Sequence, residues 1–198
     1  MKNLQLGCLD QPVDGWLNTD ISPHVLVARI PLAAWLLHKL GMMPDERYEQ
    51  HRRGVFKRVK RLDLTRRFAF ADGSFDNVFS AHVLEHLYRE DAERCVREVH
   101  RVLKSGGVFR VTVPDLDRGV AAYDPGTPES FLTFMYETHE KRDENRHHWM
   151  YNEHSLGRLL REAGFSEIQR CRYREGRCPD LDRLDNRPEE TLFMEAVK

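Results

Sequence analysis

The stretch from Asp63 to Pro114 constrains the fold more than any other part of this chain. It holds Asp63-Leu64, the run Phe75-Asp76-Asn-Val-Phe-Ser80-Ala-His82, a helical segment, and Gly106-Gly107 ahead of Val108-Phe-Arg-Val-Thr-Val113-Pro114. In the helical segment Ala92, Cys95, Val96, Val99, Val102 and Leu103 recur at a 3.6-residue period, so residues 89–103 bury one stripe. Gly106 and Gly107 end that helix, and Pro114 stops the second strand at its carboxyl end. Two β-rich runs joined by a helix make a βαβ unit, which demands parallel strands and a right-handed crossover.

The rest of the chain extends the alternation. Leu4-Gln-Leu-Gly7 reads as a short strand ending in glycine, Trp16 to Asp20 as a second ending in an acid, and Arg58 to Asp63 as a third. Only thirteen positions lead from Gly7 to Asp20, too few for a full crossover helix, so a loop or single turn is expected there. Pro31 to Leu40 reads as a helix closed by Gly41, inside a long excursion from Ser22 to about Lys57. A helix around Glu129 to Glu140 follows, then one capped by Asn152 with Leu156, Leu159, Leu160 and Ala163 on one face. Phe165 to Tyr173 and Thr191 to Val197 supply the last strands, joined by a charged connection from Arg174 to Glu190. The pattern predicts an open, mostly parallel sheet.

In such a sheet ligands bind beyond the carboxyl ends of the strands, where strand order reverses. The first four strands end at Gly7, Asp20, Asp63 and Ser80. One carboxylate can accept both hydroxyls of a ribose, a second can accept from an adenine amino group, and a glycine lets backbone N–H groups approach a ligand carboxylate.

Taken together, Leu4-x-Leu-Gly7-Cys8, Gly15-Trp16-Leu-Asn18-x-Asp20-Ile21, Asp63-Leu64, Phe75-Asp76 through Leu87, Arg101-Val-Leu-Lys-x-Gly-Gly and Val113-Pro-Asp-Leu116 resemble the methyltransferase-type-11-like family of class I S-adenosylmethionine-dependent methyltransferases. His148-Trp-Met-Tyr151, Ser155 through Phe165 and Leu192-Phe-Met-Glu195-Ala carry the resemblance over nearly the whole chain outside residues 22–57. It implies an α/β, Rossmann-like doubly wound sheet of seven strands in the order 3-2-1-4-5-7-6, the last antiparallel, in one domain over 1–198. A helical insertion at about 22–57 should lie over the cofactor edge. The implied cofactor is S-adenosylmethionine, with Gly7 and Cys8 near its methionine part, Asp20 and Ile21 at the ribose, Asp63 and Leu64 at the adenine, and Ser80 and His82 beside the sulfonium. The implied reaction is methylation of an oxygen or nitrogen on a small molecule or glycan precursor, since such genes often lie beside those for surface glycans. His82, His86 and His148 are the candidate bases, because an imidazole titrates near neutral pH. Leu9 stands where such proteins usually carry the second glycine of Gly-Cys-Gly. Its Cβ is expected to crowd the methionine moiety or resist a turn with φ > 0.

Two other readings stay open on the residues. His82-Val-Leu-Glu85-His86 also matches H-x-x-E-H, the inverted zinc-peptidase motif, which would make a zinc hydrolase but needs a helix and a further acidic ligand. A non-catalytic binding or scaffold protein of the same fold is the other, and no metal is assigned. A dehydrogenase is disfavoured by the lack of G-x-G-x-x-G after the first strand and of any Tyr-x-x-x-Lys. His147-His148-Trp149-Met150-Tyr151 reads either as packing or, with Pro114-Asp115, as part of a substrate mouth.

A net charge of −1 gives no general field for nucleic acid, which is not an expected partner. The charge is uneven, with eight Lys and Arg between His51 and Arg67 against one acid, Asp63. Cys8, Cys95, Cys171 and Cys178 form no C-x-x-C pair and the first residues lack a signal-peptide core, so free thiols in a reducing cytoplasm are expected. No window is long and apolar enough for a transmembrane segment. Val25, Leu26, Val27, Ile30, Leu32, Trp35, Leu36, Leu37, Leu40, Met42 and Met43 are too many for an exposed helix. They are expected to pack on the sheet edge left bare by the missing first helix, or against a second copy in a homodimer. Peripheral membrane contact through 25–43 is the alternative.

Overall fold

The computed structural model describes residues 1–136 and 146–198. Seven strands form one sheet: β1 (Asn3–Leu6), β2 (Trp16–Asp20), β3 (Val59–Arg61), β4 (Phe75–Ala81), β5 (Leu103–Pro114), β6 (Ser166–Cys171) and β7 (Thr191–Val197). Their order is β3-β2-β1-β4-β5-β7-β6, as the resemblance implies. Strands β1 to β5 pair in parallel, and β7 runs antiparallel between β5 and β6. Eight helices accompany them among the described residues: α1 (Pro23–Val27), α2 (Ala33–Lys39), α3 (Asp45–Arg52), α4 (Arg89–Val102), α5 (Leu116–Ala121), α6 (Pro128–Tyr136), α7 (Glu153–Glu162) and α8 (Leu181–Leu184). The expected helix from Glu129 to Glu140 is α6 as far as Tyr136, and its remainder lies outside the described residues.

One face of the sheet is covered as the periodicity predicts. The α4 stripe of Cys95, Val96, Val99 and Val102 is fully buried with Leu156 and Leu160 of α7 against Leu4, Leu6, Val78, Val111 and Val113. Each such aliphatic side chain contributes about 1.5–3 kcal/mol by leaving water. Asn152 starts α7 through a capping box with Ser155, each side chain taking the other's backbone N–H.

The other face corrects the sequence reading. No helix joins β1 to β2, as expected, but the 22–57 insertion does not cover the bare surface. The connection between β6 and β7 does. Its Cys178, Leu181 and Leu184 pack with Val13, Trp16, Phe79 and Val108, and Trp16 Nε1 donates to Asp180 Oδ2 at 2.9 Å. Arg110, fully buried on β5, holds the connection down. Its Nε and Nη2 donate to Asp185, Nη1 and Nη2 donate to the carbonyls of Glu175 and Arg172, and Glu195 stands 3.6 Å away.

The insertion is α1, α2, α3 and a 3₁₀ turn at Val55–Arg58. Pro31 to Leu40 is helical as predicted, over Ala33–Lys39. Val25, Met43 and Phe56 anchor the insertion, Val25 against Cys8 and Val59. The expectation that its apolar side chains pack on the sheet is otherwise overturned. Leu26, Ile30, Leu32, Trp35, Leu36, Leu40 and Met42 are all exposed. Two short helices bent apart at Leu32, whose φ is +61°, cannot lay one continuous stripe on the protein.

Candidate active site

Four neighbouring strand ends open on one edge of the sheet. β3 leads into Asp63, β2 ends at Asp20, β1 passes into Gly7, and β4 carries Ser80 next to its last residue. These strands are adjacent in the sheet, and the registers Leu6↔Thr19 and Leu6↔Ser80 keep their ends level.

Gly7 is required by both its backbone and its neighbour, since φ is +62° and a Cβ would stand 2.3 Å from Val83 Cγ2. Leu9 also takes a positive φ, +46°, with its side chain 44% exposed. The expected resistance of leucine to that turn is therefore corrected: facing outward, it occupies the left-handed region at a cost of about 1–2 kcal/mol. Asp20 holds the turn, its Oδ2 accepting the Leu9 N–H at 2.8 Å and its Oδ1 the Ser22 N–H at 2.7 Å. Ile21, between these contacts, is exposed. Asp10 completes the clamp by accepting from Arg47 Nη1 at 2.8 Å and Gln50 Nε2 at 2.9 Å, both on α3. The insertion thus reaches this edge through a polar brace absent from the sequence reading.

Cys8 is buried. Burial first, then Asp20 and Asp10, push its thiol up to about 12, so it is a packed thiol and not a nucleophile at neutral pH. Asp63 Oδ1 accepts from Thr65 N–H at 3.0 Å and Thr65 Oγ1 at 2.7 Å, with Arg66 Nε 3.1 Å from Oδ2. Burial pulls the Asp63 carboxyl up, but the Thr65 bonds with Arg66 and Arg61 outweigh it and hold it below the usual range. Leu64 is half-buried against the core, and Ser80 is fully buried with its Oγ lacking a hydrogen-bond partner among the described residues.

Beyond β4 the chain turns sharply. His82 has φ +52°, and Leu84–His86 form a 3₁₀ turn. His82 sets Nε2 3.0 Å from Thr191 Oγ1 and Nδ1 3.3 Å from Glu85 Oε1. The Glu85 carbonyl accepts the N–H groups of His148 at 2.7 Å and Trp149 at 3.2 Å. His86 places Nδ1 3.1 Å from the Arg146 carbonyl, and its ring centre is 5.0 Å from that of His147. His148 turns its ring onto Tyr88, 4.2 Å away. Of the predicted bases, His82 and His86 therefore stand together with Glu85 and with His147, which the sequence reading placed in the 147–151 run but not among the bases. The only signal for it was the His147-His148 doublet before Met150 and Tyr151, both buried.

The helical geometry of the zinc-peptidase motif is not met, because a strand end, a left-handed residue and a 3₁₀ turn occupy residues 82–86. Asp115 does meet the 147–151 run, through a bridge to Tyr151, yet it is not substrate-facing. It is 1% exposed, caps α5 and accepts from Arg170 Nη2 at 2.9 Å.

The family model described as "Methyltransferase domain" matches residues 40–111. A probable S-adenosylmethionine-dependent methyltransferase of Mycobacterium tuberculosis is 29% identical over 140 residues, 70% of this chain. The chain spans only 44% of the length of that curated relative. Among solved structures, a possible histamine N-methyltransferase from Thermotoga maritima matches with TM-score 0.53 at 16% identity, covering 100% of this chain and 82% of that one. An S-adenosylmethionine-dependent methyltransferase from Archaeoglobus fulgidus matches with TM-score 0.54 at 14% identity, covering 100% and 86%. PigF with SAH matches with TM-score 0.52 at 14% identity, covering 100% and 50%. These structural likenesses concern the fold.

Proposed function

We propose that the chain is a class I S-adenosylmethionine-dependent methyltransferase that methylates an oxygen or nitrogen of a small molecule or glycan precursor. One observation carries this reading: adjacent strands β3, β2, β1 and β4 deliver Asp63, Asp20, Gly7 and Ser80 to one edge. When bound, S-adenosylmethionine supplies a methyl group already activated on a sulfonium. The residues fit it. Each Asp20 oxygen accepts one loop N–H and keeps a lone pair for a ribose hydroxyl, with Ile21 beside it. Asp63 and Leu64 flank the adenine position, Gly7 and Cys8 the methionine part, and Ser80 and His82 the reacting end.

With an activated donor, most of the rate can come from holding donor and acceptor in line. A hydroxyl acceptor also needs a base, and His82, His86 and His148 are the imidazoles beside the end of β4. Four cysteines without disulfides support a reducing cytoplasm, and strands drawn from Asn3 through Val197 support one domain over 1–198.

Calorimetry with S-adenosylhomocysteine tests the reading. Binding is expected in the wild type, with affinity down about tenfold or more in Asp20→Ala through lost charge-assisted bonds. No heat with the wild type would favour a cofactor-free binding protein. Methyl transfer from labelled donor into fractionated extract should then mark a small molecule or glycan precursor, and label in RNA would overturn that acceptor class.

A further inference from the structure

Glu85 is fully buried, and neither carboxylate oxygen has a hydrogen-bond partner among the described residues. Such a group is expensive unless something pairs with it. Two imidazoles face the same point: ligand atoms of Glu85, His86 and His147 all lie within 4.8 Å of one another. Both rings are oriented as metal ligands are, each with Nδ1 against a backbone carbonyl, His86 on Arg146 at 3.1 Å and His147 on Phe134 at 3.0 Å. A donated Nδ1–H puts the remaining lone pair on Nε2 and fixes the ring.

From this geometry we infer that Glu85, His86 and His147 form a divalent metal site. Two imidazoles and one carboxylate suit a first-row transition ion such as Zn²⁺, Co²⁺ or Mn²⁺ better than Mg²⁺ or Ca²⁺. Bonds of about 2.0–2.2 Å place tetrahedral ligands about 3.4 Å apart, so the triangle closes by roughly an ångström on binding. The site is not the one spelled by the H-x-x-E-H spacing. His82 turns Nε2 to Thr191, and its Nδ1 stands 3.3 Å from Glu85 Oε1 without a hydrogen bond to it.

Three protein ligands leave a position for an outside oxygen. Resting on the methyl-transfer reading, that oxygen is the acceptor hydroxyl. Bound to the ion, it loses its proton to water; its lone pair then forms the bond to the methyl carbon while the carbon–sulfur bond breaks and its electrons stay on sulfur. The products are a methyl ether and the thioether S-adenosylhomocysteine.

The test uses the whole chain freed of metal by a chelator and titrated with Co²⁺, read by visible absorption, and with Zn²⁺, read by calorimetry. One ion per chain is expected, with the affinity at least about tenfold weaker in His86→Asn, His147→Asn and Glu85→Gln. His154→Asn, on the exposed face of α7, should bind as the wild type does. The two histidine variants carry the test if Glu85→Gln does not fold. Less than one ion per chain, or unchanged binding in a His86→Asn/His147→Asn double variant, would overturn the site. S-adenosylhomocysteine binding measured in the metal-free protein reports separately on the methyltransferase reading, so each can fail alone.

Discussion

At the residue scale, two left-handed positions two residues apart show how the same backbone demand can be met differently. Gly7 has no room for a Cβ because Val83 stands against it, whereas Leu9 points its side chain into solvent. Gly7→Ala should therefore cost about 2–4 kcal/mol, combining a left-handed alanine with overpacking against Val83, and should abolish S-adenosylhomocysteine binding. Urea unfolding and calorimetry on one variant measure both. A stable Gly7→Ala that binds normally would show that this turn does not shape the cofactor edge. The sequence made the edge legible because Gly7, Asp20, Asp63 and Ser80 each close a short apolar run. It hid the meeting of His147 with His86 and the Asp10–Arg47–Gln50 brace, because partners 61 and 37 residues apart in sequence share no local pattern.

At the scale of elements, the strands and the long helices were readable from period and punctuation, α4 nearly to the residue. The connection between β6 and β7 was not. Its ten charged residues from Arg174 to Glu190 read as a solvated loop, yet three apolar side chains and the ion pair of Asp185 with buried Arg110 make it the missing layer over β2, β4 and β5. Arg110 is tolerable inside only because Asp185, Glu195 and two carbonyls surround it. Asp185→Ala should leave that charge short of its main partner and cost about 3–5 kcal/mol in chemical unfolding. Because α8 lies against Trp16, the loss should also red-shift tryptophan emission before global unfolding. A change below about 1 kcal/mol would mean that apolar contacts alone hold the connection.

At the scale of the whole molecule, charge and apolar exposure fall in the same segment. Residues 22–67 carry eleven Lys and Arg against four Asp and Glu, a local +7 in a chain whose net charge is −1. Acids outside the segment neutralise part of it, Asp10 on Arg47 and Asp14 on Arg58. The excess still sits beside the exposed Ile30, Leu32, Trp35, Leu36, Leu40 and Met42. No helix among the described residues is long and apolar enough to cross a membrane, so a membrane contact of this face would be peripheral. A second copy is the poorer partner, since a two-fold contact through this face would bring two such positive segments together, whereas an anionic bilayer attracts one. The protein is therefore expected to sediment with phosphatidylserine-containing vesicles and less at about 0.5 M salt, roughly three times the physiological 0.15 M and enough to shorten the screening length to a few ångströms. Trp35→Glu should abolish the binding without changing S-adenosylhomocysteine affinity, because Trp35 is 47% exposed and outside the strand-end cluster. Equal recovery with neutral vesicles, or a concentration-dependent dimer that Trp35→Glu dissociates, would assign the face to self-association instead.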